Sequence, residues 1–444
     1  MEADPISTKA SAKSPASQGA EPEVDQKTLR RAVMASALGN ATEWFDYGVY
    51  AYVATEIGDA FFPGSHSTLA SLLVFAVSFI LRPLGGVVWG PLGDKLGRST
   101  ILATTIILMC VATFLVGCLP TYGAIGIWAP ILLIILRIVQ GFSTGGEYGG
   151  AATFMAEYAP DKKRGFWGSF LEFGTLAGFS FAVIVVYVVN AIVGDAAMHT
   201  WGWRIPFLIA LPLGAIGLYM RLKMEDTPIF RELEAKDEDD GGATTALKDL
   251  FIHHWRPILQ LFGLVIALNV ANYTLLAYMP TYLQETIGMS SGSTDLLVLI
   301  GYLVMMSVIW SAGALSDRIG RKPCWWISLI GLFVLAIPMF ILMSKGFVWA
   351  VIGFVILGLV YLLQLGTISA TFPAMFPTQV RYSGMAISYN VSTAASGGTA
   401  LAVNEHFIKV TGNNLFPAFY LMGSCVVGMV ALYFVVETKG ASMR

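Results

Sequence analysis

A short charged hairpin occurs twice in this chain, and each copy lies between two apolar stretches of membrane-spanning length. Gly90-Pro-Leu-Gly-Asp94-Lys95-Leu-Gly97-Arg98 returns as Gly313-Ala-Leu-Ser-Asp317-Arg318-Ile-Gly320-Arg321-Lys322, with Asp94 and Asp317 separated by 223 positions. Two further marks repeat at similar spacing. Pro160-Asp-Lys-Lys-Arg164 returns as Pro377-Thr-Gln-Val-Arg381 after 217 positions, and Glu225-Asp-Thr227 as Glu437-Thr438-Lys439 after 212. A few short insertions in a duplicated module produce such a drift. Parallel repeats in a membrane protein predict two similar bundles with a central site between them. That organisation points to transport.

Composition agrees with a membrane chain. Hydrophobic residues make up 56% and charged residues only 13% of the 444, against roughly a quarter charged in a soluble protein. A net charge of −2 predicts no nucleic-acid partner. Cys110, Cys118, Cys324 and Cys425 sit in or beside apolar runs without close pairing, and the five histidines are scattered, so neither a disulfide set nor a metal site is expected. About 20 mostly apolar residues span the hydrocarbon as a helix. Twelve such stretches occur, near 32–55, 68–92, 99–119, 126–157, 165–190, 203–223, 257–284, 294–315, 323–343, 347–373, 383–406 and 415–436. The expected fold is therefore an all-α membrane protein of twelve transmembrane helices in two six-helix bundles, 30–223 and 257–437. A disordered cytoplasmic tail over 1–29, a polar cytoplasmic linker over 224–256 and a short tail over 438–444 complete it.

Loop charge predicts the orientation. Of 27 Lys and Arg, 22 fall in the tails and the even-numbered connections, which places both termini in the cytoplasm. The hairpins then lie at the cytoplasmic edge. Their glycines permit a tight turn and close helix approach, and their Asp can sit at a helix N-terminus against the positive end of its dipole. Gly90, Asp94, Arg98, Gly313, Asp317, Arg318 and Arg321 are thus candidates for a charged latch on a cytoplasmic gate; a solvated basic turn that only marks topology is the other reading.

Ionisable groups in the middle of a span cost at least about 2.5–3.5 kcal/mol each, so they need a function or a partner. Glu43, Asp46, Arg82, Arg137, Glu147 and Glu172 are such groups, all in the first half. The second half carries almost none, Glu405 being placed near an outer end. Glu43, Asp46, Tyr47 and Tyr50 share one face of the first helix, and Arg137, Gln140, Thr144, Glu147 and Tyr148 one face of the fourth. The two faces suggest an Asp46–Arg137 pair that a proton on Asp46 would weaken, biasing a two-state bundle. Glu43 and Glu147 are further proton candidates; a static ion pair is the alternative. Gly145, Gly146, Gly149 and Gly150, and Gly174 with Gly178, have the spacing of close helix contacts. Aromatic and amide groups, namely Trp44, Tyr47, Tyr50, Gln140, Tyr148, Asn269, Asn272, Tyr273, Tyr389 and Asn390, are the substrate candidates. Aromatic faces attract quaternary ammonium groups, and Arg137 or an amide could hold a carboxylate, a combination suited to a small zwitterion. Core packing is the alternative for any single ring.

At these residues the chain resembles the major facilitator superfamily, and within it the metabolite:proton symporters. The marks are Gly39-Asn-Ala-Thr-Glu43-Trp-Phe-Asp46-Tyr-Gly-Val-Tyr50, Arg82-Pro-Leu-Gly-Gly86, Gln140-Gly-Phe-Ser-Thr-Gly-Gly-Glu147-Tyr148, Trp201-Gly-Trp-Arg204-Ile-Pro-Phe207 and Phe376-Pro-Thr-Gln-Val-Arg381-Tyr382. The resemblance, strongest to carriers of compatible solutes, implies an alternating-access symporter in a bacterial plasma membrane. It would be driven by the proton gradient with no cofactor, and would work as a monomer on proline, glycine betaine, ectoine or similar osmoprotectants. It also implies that Asp46 and Arg137 take part in proton coupling. The rival substrate is a carboxylate such as shikimate, 2-oxoglutarate or citrate. A dianion favours two or more central cations, and only Arg137 and Arg82 are available. A non-transporting receptor sits poorly with the paired hairpins and buried charges. An enzyme is not expected, since no nucleophile–base pair or metal set appears.

Overall fold

The computed structural model describes residues 26–64, 66–96, 98–145, 147–222, 252–377 and 381–441. Most of the expected N-terminal tail and linker therefore lies outside the described residues, as do 442–444. Residues 26–29, placed in the tail by sequence, belong to the first helix.

The described helices account for the twelve expected spans, several of them built from two helices end to end. The first half comprises α1 (Gln26–Tyr52), α2 (Ala54–Phe61), α3 (Ser67–Ile80), α4 (Arg82–Leu96), α5 (Arg98–Cys118), α6 (Trp128–Thr144), α7 (Glu147–Tyr158), α8 (Arg164–Val193) and α9 (Arg204–Leu222). The second comprises α10 (Trp255–Asn272), α11 (Ser291–Ile319), α12 (Arg321–Met343), α13 (Phe347–Leu365), α14 (Arg381–Ser396), α15 (Thr399–Thr411) and α16 (Phe416–Phe434). Seven runs among the described residues are long and apolar enough to cross a membrane, including Ser67–Trp89, Asp161–Val193 and Trp255–Thr286. Thr104–Cys118, Trp128–Thr144 and Arg204–Ile216 are shorter apolar helices.

Breaks within spans have local causes. The first span does not end near residue 55 as expected. It continues through α2 to Phe61 and stops where Phe62 turns extended ahead of Pro63. Arg82 starts a new helix with Pro83 in its first turn, where a missing N–H is tolerated. After α10 the seventh span passes through wide helical turns, Tyr273–Tyr278 and Tyr282–Thr286, on either side of Pro280. Pro280 has no N–H to give to the carbonyl of Leu276 four residues earlier.

Within the first half α1 packs along α8, and α9 along α5; within the second, α12 packs on α13 and α10 on α16. Between the halves the main seam is α8 against α11, with α15 on α3 and α14 on α4 and α7 completing the contact. Close approach explains several glycines. A Cβ on Gly174 would lie 2.2 Å from the Ala37 carbonyl, and one on Gly178 2.4 Å from that of Ala41, so the small pair on α8 admits the backbone of α1. Across the seam, a Cβ on Gly313 would lie 2.3 Å from the Gly165 carbonyl. The hairpin glycine is there because the other half touches its backbone.

Candidate functional site

Asp317, in the second copy of the hairpin, sits at a helix N-terminus, but that helix belongs to the opposite half. Its carboxylate accepts the backbone N–H groups of Gly165 at 2.8 Å and Phe166 at 2.9 Å, capping the first turn of α8. The Arg321 guanidinium stands 3.6 Å from Asp317 and donates to the Thr438 carbonyl at 2.7 Å. Glu437 in turn accepts from the N–H groups of Arg321 and Lys322, at 3.0 and 2.9 Å, and caps α12. Arg318 is exposed, and its carbonyl accepts from Lys439 at 2.6 Å. In the first copy, Gly90, Asp94 and Arg98 lie outside the described side chains, and so does Glu147.

The expected Asp46–Arg137 pair is present at 3.7 Å, and Gln140 holds it in place. Arg137 donates to the Gln140 carbonyl oxygen at 2.6 Å; the Gln140 amide donates to Asp46 at 3.0 Å, and Thr113 donates to the same Asp46 oxygen at 2.6 Å. The guanidinium also lies over the Tyr50 ring, 3.7 Å from its centroid, a cation–π contact. All of these partners are in the first half. Tyr50, whose hydroxyl donates to the Ser71 carbonyl, and Gln140 therefore serve the ion pair and do not reach the seam between halves.

A second pair was not anticipated from sequence. Arg82 donates to Glu43 at 2.6 Å, with both side chains buried. Arg82 lies against the rings of Tyr47 and Phe79, 5.6 and 5.5 Å from their centroids, and Tyr47 shares a hydrogen bond of 3.0 Å with Thr144. An Arg82–Glu172 pair does not form. Glu172 accepts instead from the hydroxyls of Tyr148 at 2.6 Å and Thr175 at 2.8 Å.

At the seam itself, Tyr148 stacks on Tyr389 of α14 with centroids 4.4 Å apart and ring planes within 15°. Asn390 donates to the Gly145 carbonyl at 2.8 Å. Trp44 approaches Tyr273 with centroids 6.0 Å apart, and Phe79 approaches Tyr273 at 5.2 Å. The structure thus joins Trp44, Tyr148, Tyr273, Tyr389 and Asn390 across the two halves. Asn269 and Asn272 remain inside the second half, bonded to Thr393 at 3.0 Å and to the Tyr361 hydroxyl at 2.9 Å.

The end of the molecule away from the hairpins holds contacts the sequence did not suggest. The Leu276 carbonyl, which Pro280 cannot serve, accepts the Tyr302 hydroxyl at 2.5 Å, and Tyr52 from the first half donates to Tyr302 at 3.0 Å. Thr55 donates to Glu285 at 3.3 Å across the same gap. Two carboxylates are buried nearby, Glu56 at 8% and Asp295 at 1% exposure, and Glu405, bonded to Tyr278 and Lys409, is also buried. The second half therefore holds more buried charge than its sequence suggested. Asp295 stands in the first turns of α11, where loop and span are hard to tell apart by hydropathy.

Sequence comparison agrees with this architecture. Residues 35–403 match the Major Facilitator Superfamily. The chain is 44% identical over 435 residues to the glycine betaine/proline/ectoine/pipecolic acid transporter OusA of Dickeya dadantii, covering 95% of this chain and 86% of that protein. It is 45% identical over 435 residues to the proline/betaine transporter of Escherichia coli, with the same coverage. The ectoine/proline transporter ProP of Corynebacterium glutamicum is 41% identical over 434 residues, covering 94% and 86%. In fold the chain is similar to the proton:xylose symporter XylE, with a TM-score of 0.75 at 18% identity over 95% of this chain and 98% of that one. By family and by relatives it is a carrier and not an enzyme. The chain belongs to the Major Facilitator Superfamily of membrane transporters.

Proposed function

We propose that the protein is a proton-coupled symporter that imports small zwitterionic osmoprotectants, such as proline, glycine betaine and ectoine, by alternating access. It would work as a monomer in a bacterial plasma membrane, with both termini cytoplasmic and the proton gradient as its energy source. The names of relatives above 40% identity support the solute class. The observation that carries the coupling is the Asp46–Gln140–Arg137 cluster, a buried carboxylate 3.7 Å from a buried cation. Protonation of Asp46 would remove the charge that holds Arg137, so that solute binding and proton binding bias the same helices. A dicarboxylate substrate is the weaker reading, because Arg137 is enclosed with Asp46 inside the first half and Arg82, bonded to Glu43 through one terminal nitrogen, offers a single cation to two carboxylates.

The test is uptake into proteoliposomes under an imposed proton gradient, comparing betaine, proline, ectoine, shikimate and 2-oxoglutarate. Saturable uptake of the zwitterions supports the assignment; uptake of the carboxylates alone rejects it. Asp46→Asn should abolish gradient-driven accumulation and leave solute exchange running. Unchanged accumulation would remove Asp46 from the coupling step.

A further inference from the structure

Three carboxylates are buried in the core of the first half near its centre, and only two have a cation. Glu43 is held by Arg82 and Asp46 by Arg137. Glu172, 1% exposed, has no cation within ion-pair distance among the described residues. Its two oxygens are nonetheless held in fixed positions. Thr175, which donates to one of them, is itself bonded by Asn40 at 2.7 Å, and Asn40 is held by Trp44 at 3.1 Å and by the Leu171 carbonyl at 2.8 Å. Tyr148 donates to the other oxygen and lays its ring on Tyr389 of the opposite half. A buried carboxylate without a cation is costly to keep in a membrane span. The two hydroxyls fix both oxygens in place, so the group is preorganised to meet a cation from outside.

Two donors form the opposite pole. Arg82 Nε and the Tyr273 hydroxyl are buried and have no hydrogen-bond partner among the described residues, and the two residues, one from each half, both lie against the Phe79 ring, at 5.5 and 5.2 Å between centres. Both are donors, and unmet buried donors are rare in folded proteins. Trp44 links the two poles: its ring lies 6.0 Å from that of Tyr273, and its N–H donates to Asn40, which holds Thr175 on Glu172. Arg137, the cation first assigned to the solute, is not available for this role, because it is enclosed by Asp46, Gln140 and the Tyr50 ring inside the first half.

We propose that Glu172, with the Tyr148–Tyr389 ring pair, receives the cationic nitrogen of the solute, and that Arg82 with Tyr273 receives its carboxylate. The assignment rests on the zwitterion reading above and gives it an orientation. It also separates two kinds of solute. A quaternary ammonium has no N–H, so it depends on ring faces and on the charge of Glu172. A secondary ammonium such as that of proline can donate directly to the carboxylate. Each pole draws on both halves, so a bound solute ties the two together.

The experiment measures equilibrium binding of betaine and of proline to the purified full chain in detergent, together with gradient-free solute exchange in proteoliposomes. Glu172→Gln should weaken betaine at least about tenfold, the loss of one charge contact on an aromatic site, and Glu172→Asp should recover part of that loss. Tyr389→Leu should weaken betaine about tenfold and proline less, while Tyr389→Phe keeps the ring and stays within about threefold of wild type. Tyr273→Phe should weaken both solutes about three- to tenfold through one lost donor. Wild-type affinity for betaine in both Glu172→Gln and Tyr389→Leu overturns the proposal. Retained affinity and exchange with lost gradient-driven accumulation in Glu172→Gln also overturns it, by making Glu172 a proton carrier. If the wild-type chain itself binds neither betaine nor proline, the zwitterion reading fails, a result distinct from either of these. Size-exclusion profiles and melting curves separate a folding failure from a binding loss, and the Tyr389→Phe and Glu172→Asp arms keep the question open to an answer if Glu172→Gln does not fold.

Discussion

Arg137 carries a full charge at 0% exposure in a membrane span, and its surroundings show how that is tolerated. One face rests on the Tyr50 ring, and the edge is met by Gln140 and Asp46. A lysine could not match this, since the planar guanidinium both stacks and donates along its edge. Removing one partner leaves the other charge buried alone, which costs about 3–5 kcal/mol. Asp46→Asn and Arg137→Gln are each expected to lower the melting temperature in detergent. The double variant should recover much of the loss, because neither charge is then stranded. Strict additivity of the two single effects in that cycle would show that Asp46 and Arg137 do not act as a pair. The pair was legible in the sequence from helical spacing alone. The Gln140 bridge was legible only as a stripe neighbour, and Thr113, from a different helix, carried no signal at all.

At the scale of elements, one proline shapes the contact at the far end. Pro280 withholds an N–H from the Leu276 carbonyl, and that carbonyl accepts the Tyr302 hydroxyl, which in turn accepts from Tyr52 of the other half. Tyr302→Phe removes both bonds, and Tyr52→Phe in the same chain removes the remaining 3.3 Å bond from Tyr52 to the Leu276 carbonyl, so the double variant is the one labelled. Expected is faster labelling of a single cysteine placed at Thr55, with the native cysteines replaced, as this end opens more often; an unchanged labelling rate would rule out the tyrosine bridge as a closure. The hairpin end has its own cross-half contact in the Asp317 cap on α8. Asp317→Asn keeps the cap's shape and loses the charge at the helix N-terminus, for a cost of about 0.3–1 kcal/mol, read as faster labelling near Gly165 and not near Thr55. The seventh span could be located by hydropathy, but the tyrosines that meet it come from positions 52 and 302 and have no sequence relation to it.

For the whole molecule, contacts between halves exist at both ends: Asp317 with α8 at the hairpin end, and Tyr52–Tyr302 with Thr55–Glu285 at the other. The proposed alternating access requires one set to break while the other holds. Cysteines at Thr55 and Glu285, whose side chains already meet at 3.3 Å, should stop exchange when oxidised and restore it on reduction. Continued exchange in the oxidised state would show that this end need not open during transport.

The sequence by itself determined the scaffold. Span length, loop charge and the doubled hairpin are all local or periodic properties, and the membrane leaves few ways to satisfy them. It also identified Glu43, Asp46, Arg82, Arg137 and Glu172, though not Glu56, because an ionisable residue in the middle of an apolar run stands out without any knowledge of its neighbours. Only the tertiary structure decided which charge meets which. Arg82 goes to Glu43 and not to Glu172, Asp317 caps a helix of the opposite half, and Glu172 is left to two hydroxyls. Pairing depends on how helices distant in sequence are rotated against one another, and that rotation is set by small residues such as Gly174 and Gly313, which fix where backbones can touch. Helical periodicity places a residue on a face; packing alone determines what that face meets.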